Sequence, residues 1–171
     1  MTTEKLYLTP GGQERLRRRL ARARADYQAV CDDNPVAIEA GDNSGWHDNF
    51  AFEDNQRKMH QLARRIKDLE WIALHSEIVR SCSEPPGRVV LGSVVVLRFD
   101  DEDSEREIYL AGYDDGDPSI GRISYNSPLG RQILGTKPGD ELEVRLAGGR
   151  RRLEIIDVLA APVEEGRCEA D

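Results

Sequence analysis

The chain has 171 residues, room for one or two small domains, and its 39% apolar against 33% charged composition fits a water-exposed protein with a modest core. No apolar run approaches the roughly 20 residues that a membrane-spanning helix requires. A net charge of −8 argues against a general nucleic-acid binder, which is normally basic overall.

The opening Met1–Leu6 has no charged-then-apolar leader pattern, which points to the cytoplasm. Cys31, Cys82 and Cys168 are odd in number and lack a Cys-x-x-Cys pair, so they read as free thiols rather than a disulfide frame or zinc site.

Leu8-Thr9-Pro10-Gly11-Gly12 is a helix start, with Thr9 as N-cap and Pro10 at the first helical position, where its missing N–H costs nothing. From Pro10 to about Ala40, Leu16, Leu20, Ala23, Tyr27 and Val30 recur at spacings of four and three. A second helical segment spans about Phe50 to Val79, with Phe52, Met59, Leu62, Ile66 and Leu69 in a similar stripe. Stripes this narrow suit a coiled-coil seam, so the two helices form an antiparallel hairpin. Pro35 is expected to kink or end the first helix. Between the helices, Gly41-Asp42-Asn43-Ser44-Gly45-Trp46-His47-Asp48-Asn49 forms the tip, and Asp48 or Asn49 suits the cap of the second helix.

Charge is segregated along the hairpin. Arg15, Arg17, Arg18, Arg19, Arg22 and Arg24 load the stem, and no Lys or Arg occurs from Ala25 to Gln56. Asp26, Asp32, Asp33, Glu39, Asp42, Asp48, Glu53 and Asp54 accumulate there instead. The arm is basic along its stem and acidic at its end.

Ser83-Glu84-Pro85-Pro86-Gly87 reads as a linker. Beyond it the period becomes alternating, with strands expected at Ser93–Phe99, Arg106–Ala111, Arg122–Tyr125, Glu141–Leu146 and Leu153–Leu159. Ala147-Gly148-Gly149-Arg150 is a hairpin turn, and Ser127–Gly135 carries the cap, first-turn Pro and closing Gly of a short helix. The fold class is α+β. It comprises a coiled-coil domain over 1–82 with its tip at about 41–50, a linker over 83–92, a small antiparallel β domain with one short helix over 93–160, and a disordered tail over 161–171.

These residues resemble the Gre-type transcript cleavage factors of bacterial RNA polymerase over nearly the whole chain. The resemblance rests on Leu8–Gly12 with Leu16 and Leu20, on Gly41-Asp42 and Asp48-Asn49 at the tip, and on Arg65–Glu70 in the second helix. Its most specific part is Ile123–Gly135, followed by Gly139-Asp140-Glu141 and Gly148-Gly149. The resemblance implies an FKBP-like C-terminal domain that docks on the polymerase through Asn126, Ser127 and Pro128. It also implies a coiled coil that enters the secondary channel, where Asp42 and Asp48 help hold a Mg²⁺ shared with the polymerase active site. Such a factor stimulates cleavage of backtracked RNA at the nascent 3′ end without being an enzyme itself, and is expected to be a monomer. Arg15, Arg18, Arg19 and Arg22 are then candidates for contact with RNA, and Trp46 for contact with the polymerase.

The tip departs from the family pattern. Five residues, Asn43 to His47, separate the two aspartates, and Ala51 and Phe52 stand where the family has Glu-Tyr. Two alternatives follow: a channel-binding regulator that does not stimulate cleavage, and a nucleoside diphosphate kinase regulator, whose C-terminal domain is similar but whose coiled coil is shorter and lacks the acidic tip. His47, His60 and His75 read as surface histidines, and Phe99, Tyr109, Tyr113 and Tyr125 as core or edge packing.

Overall fold

A computed structural model describes residues 5–41, 50–79, 86–102, 104–146 and 148–160, with the side chains of 34–41, 50 and 51 left aside. Strand β1 (Leu6–Leu8) leads into α1 (Pro10–Gly41), followed by α2 (Phe50–His75) and β2 (Ser76–Ile78). Strands β3 (Ser93–Phe99), β4 (Glu105–Ala111) and β5 (Arg122–Ser124) precede the short helix α3 (Pro128–Ile133). Strands β6 (Glu141–Leu146) and β7 (Gly149–Ala160) complete the fold. The α+β class is as the sequence indicates.

The chain divides into two units, Arg15–His75 and a second made of Met1–Glu14 with Ser76–Asp171. These limits differ from a single cut near residue 82. The first fourteen residues group with the sheet because β1 pairs in parallel with β2, Leu6 opposite Ser76 and Leu8 opposite Ile78. This small ribbon escaped the sequence because three-residue strands 70 positions apart leave no periodic signal. The helical pattern expected to reach Val79 ends at His75 for the same reason. The segment before β3 is also more than a linker. Val89 is fully buried, its N–H donates to the Thr136 carbonyl at 2.7 Å, and its own carbonyl accepts from Gly135 at 2.8 Å.

In the helical unit the expected stripes face inward. Leu16, Ala23, Leu69 and Ile72 are buried, while Leu20, Tyr27, Val30, Phe52, Met59, Leu62 and Ile66 are half-buried. Arg24 bridges to Glu70 across the two helices at 2.7 Å. Of the two outcomes expected at Pro35, a kink or an end, the end does not occur: α1 continues to Gly41. The proline removes one N–H, the donor toward the carbonyl of Cys31, and a helix of 32 residues carries on past a single lost bond. Asp42, Trp46, His47, Asp48 and Asn49, with the expected cap of α2, lie outside the described residues, as does the tail from 161.

In the sheet unit five strands run in the order β5-β4-β3-β7-β6, all neighbours antiparallel except β4 and β5. One face is the core: Val95, Leu97, Phe99, Ile108, Leu110, Val144, Leu153, Ile155 and Val158 pack with Leu129 and Ile133 of α3. Alternation along β3 makes this work, since Val95, Leu97 and Phe99 point in while Val94 and Val96 are only half-buried and Arg98 is exposed. The β6–β7 hairpin turns where Gly148 and Gly149 were expected to turn it, with Leu146 opposite Gly149.

Candidate functional site

The motif Ile123–Gly135 builds one rim of a cleft in the sheet unit. Strand β5 ends at Ser124, the chain turns through Tyr125 and Asn126, and Ser127 caps α3 by accepting the Gly130 N–H at 3.0 Å. Pro128 takes the first helical position, where no donor is needed. Gly130 has no room for a side chain, since a Cβ there would meet the Ser124 carbonyl oxygen at 2.2 Å. The helix can therefore lie directly on the end of β5.

Asn126 is held from behind. Its Oδ1 accepts the Ser124 hydroxyl, which also reaches the Gly112 carbonyl at 2.5 Å, and lies 3.5 Å from the Asp114 N–H. Asp114 adopts φ +50°, a left-handed conformation that Asp tolerates better than most side chains. Beyond it the loop is pinned by Arg122, whose Nε donates to the Asp115 carbonyl at 3.0 Å. Asp117 accepts from the Ser119 N–H and hydroxyl, and these bonds, with Arg122 nearby, hold its carboxyl below its ordinary pKa.

The opposite rim comes from the start of the chain. Tyr113 N–H donates to the Tyr7 carbonyl at 2.8 Å, and Tyr7 N–H to the Tyr125 hydroxyl at 3.3 Å. The Tyr125 ring sits 6.4 Å from those of both Tyr7 and Tyr113, tilted 57° to each. Lys5 completes the wall and pairs with Glu77 at 2.7 Å, a hydrogen bond that raises its ammonium pKa. The result is a cleft of about 400 Å³ lined by Lys5, Leu6, Tyr7, Tyr113, Tyr125, Asn126, Arg131 and Leu134.

Of the residues expected to dock a partner, Asn126 lines this cleft, and Ser127 and Pro128 follow it into α3. Lys5, Tyr7 and Arg131 were not anticipated, and Tyr113 and Tyr125 were expected only to pack. Tyr7 and Tyr125 lie 118 positions apart and meet only through the fold.

The other candidates lie in the helical unit or beyond the described residues. Arg15, Arg18, Arg19 and Arg22 share one face of α1 by their spacing of three and four, with Arg18 and Arg22 exposed and Arg15 and Arg19 half-buried. Asp42, Asp48 and Trp46 fall outside the described residues. Among the described residues no group of three His, Cys, Asp or Glu side chains is placed to hold a metal.

Residues 84–160 match the family model described as transcription elongation factor, GreA/GreB, C-terminal. The chain is 30% identical over 159 residues to the transcription elongation factor GreA of Chloroflexus aggregans, covering 92% of this chain and 99% of the relative. It is also 30% identical over 154 residues to GreA of Brucella anthropi, covering 90% and 96%. Among solved structures it is similar to the GreA factor homolog 1 (Gfh1) protein of Thermus thermophilus, with 25% identity, a TM-score of 0.43 and coverage of 91% and 99%.

Proposed function

The chain belongs to the GreA/GreB family of transcription elongation factors, and from that premise we propose that it binds bacterial RNA polymerase and stimulates cleavage of backtracked RNA. The sheet unit docks through Asn126, Ser127 and Pro128 at the rim of the aromatic cleft. The helical arm enters the secondary channel and carries Asp42 and Asp48 to the polymerase active site. At about 1.5 Å per residue, the 32 residues of α1 extend about 48 Å, enough to carry a group far from its docking point.

The observation that carries docking is the Asn126–Pro128 turn itself, fixed by Ser124, Asp114 and the Ser127 cap beside a cleft wide enough for a partner's side chains. A binding element gains when its donors are held in place before the partner arrives.

Asp42 and Asp48 are the hard oxygen donors that Mg²⁺ takes, and two carboxylates leave positions on the ion for ligands from the polymerase. Asp42 and Asp48 would hold the ion, which would supply charge stabilisation and a water of lowered pKa at the phosphate to be cut. The chain's own part is to deliver and orient the two carboxylates. The protein is thus an accessory factor, and the cutting remains polymerase chemistry. Arg15, Arg18, Arg19 and Arg22 offer phosphate-pairing guanidiniums along one face of the stem.

The five-residue spacer from Asn43 to His47 favours one alternative, a channel-bound regulator that obstructs rather than cuts. Backtracked elongation complexes made with the cognate polymerase separate the two. Cleavage by the native chain, lost in the double variant Asp42→Ala, Asp48→Ala, is expected. Slowed synthesis with no shortened transcript sinks the cleavage reading and supports the regulator.

A further inference from the structure

The cleft beside Asn126 has an unusual composition for a protein of net charge −8: its eight lining residues include Lys5 and Arg131 and no carboxylate. Every charged group that faces it is a cation. Lys5 is neutralised by Glu77, but Arg131 is exposed and has no ion pair within 4.0 Å among the described residues. Asn126 adds to the same polarity. Its Oδ1 is turned toward Ser124 and Asp114, which leaves Nδ2 with two N–H donors and no partner among the described residues. Beside these donors the rings of Tyr7, Tyr113 and Tyr125 also line the cleft, and Leu134 stands there 45% exposed.

We propose that this cleft reads an acidic segment of the polymerase, seating an Asp or Glu side chain against Arg131 and the Asn126 amide while a neighbouring apolar side chain packs on Leu134 and the tyrosines. This rests on the docking reading above and specifies the partner's chemistry. A planar guanidinium fork matches a carboxylate with two parallel hydrogen bonds, and an amide N–H donor fits its remaining lone pairs. Tyrosine rings contribute apolar contact at small entropic cost, because few of their torsions remain to be fixed. A basic or neutral polar segment would leave Arg131 facing a like charge or an unmatched group, so the cleft discriminates as well as attracts.

Binding of the full chain to its cognate core polymerase, followed across a salt series, tests this with Arg131→Glu, Arg131→Lys and Pro128→Ala. Arg131 and Pro128 are both exposed, so all three variants should fold, which thermal melting checks. Arg131→Glu is expected to weaken binding about tenfold or more at low salt and to flatten the salt dependence, because it replaces attraction by like-charge repulsion. Arg131→Lys keeps the charge and should retain most of the affinity. Native affinity in Arg131→Glu together with weakened binding in Pro128→Ala would overturn the acid-reading cleft and leave docking at this rim standing. If neither variant binds differently from the native chain, the docking reading fails and this inference fails with it.

Discussion

Leu8 lies against the bare backbone of Gly112, so closely that a Cβ on the glycine would come within 2.9 Å of the Leu8 Cα. That contact lets the start of the chain dock on the loop that follows β4. It also lets the Tyr113 N–H reach the Tyr7 carbonyl. Replacing Gly112 by Ala should therefore cost about 1–3 kcal/mol, the range for overpacking a tight site. A lowered melting temperature with faster amide exchange at Tyr113 is the expected result. An unchanged melting temperature would mean that the N-terminal strand is not held there.

The Ser127 hydroxyl satisfies the Gly130 N–H, one of the orphan donors at the start of α3. Ser127→Ala should lose about 1 kcal/mol of stability, and Ser127→Asp, another good N-cap, should recover most of it. Chemical denaturation of the three proteins checks this. Equal stability in Ser127→Ala would show that packing of Leu129 and Ile133 alone holds the helix.

Acid should weaken one corner of the sheet unit selectively. The hydrogen bond from Arg151 is the main cause that lowers the carboxyl pKa of Asp101, and likewise that of Glu102. Arg151 also sits 4.0 Å over the Phe99 ring. A depressed folded-state pKa contributes stability that is present above the unfolded carboxyl value of about 4. That stability is lost as pH falls through the lower, folded value. The melting temperature of Asp101→Asn should thus fall below native at neutral pH and converge with it below about pH 4. A gap that stays unchanged well below that pH would argue against the ion pair.

On the open face of the β6–β7 hairpin, Arg145 stands directly opposite Arg150, while Arg150 reaches Glu143 at 3.2 Å. Like charges directly opposite one another in a ladder destabilise it. Arg145→Glu should raise stability by a few tenths of a kcal/mol, the low end of the range because both side chains are solvated. The gain should shrink in high salt. Melting curves at two ionic strengths decide it, and a loss of stability would show that Arg145 has a partner of its own.

The repeated spacing of Leu16, Leu20, Ala23 and Tyr27 announced the hairpin, and the alternation of Val95, Leu97 and Phe99 announced the sheet. In both, side chains a fixed number of residues apart share a face, so burial leaves a local trace. Thr9, Ser127 and Pro128 were legible for a similar reason, since helix caps draw their bonds from residues within a turn. Pro35 did not end the helix because the rule for proline is local and statistical, while a long helix can absorb one missing bond.

The sequence by itself therefore determined the helices, five of the strands, the segregated charge of the arm and the motif around Asn126. Only the tertiary structure decided that β1 joins β2, that Val89 enters the core, and that Lys5 and Tyr7 meet Tyr113, Tyr125 and Arg131 around one cleft. Those contacts join residues about 45 to 130 positions apart. Their pairing energy depends on where the sheet places them, and no local period or cap records it.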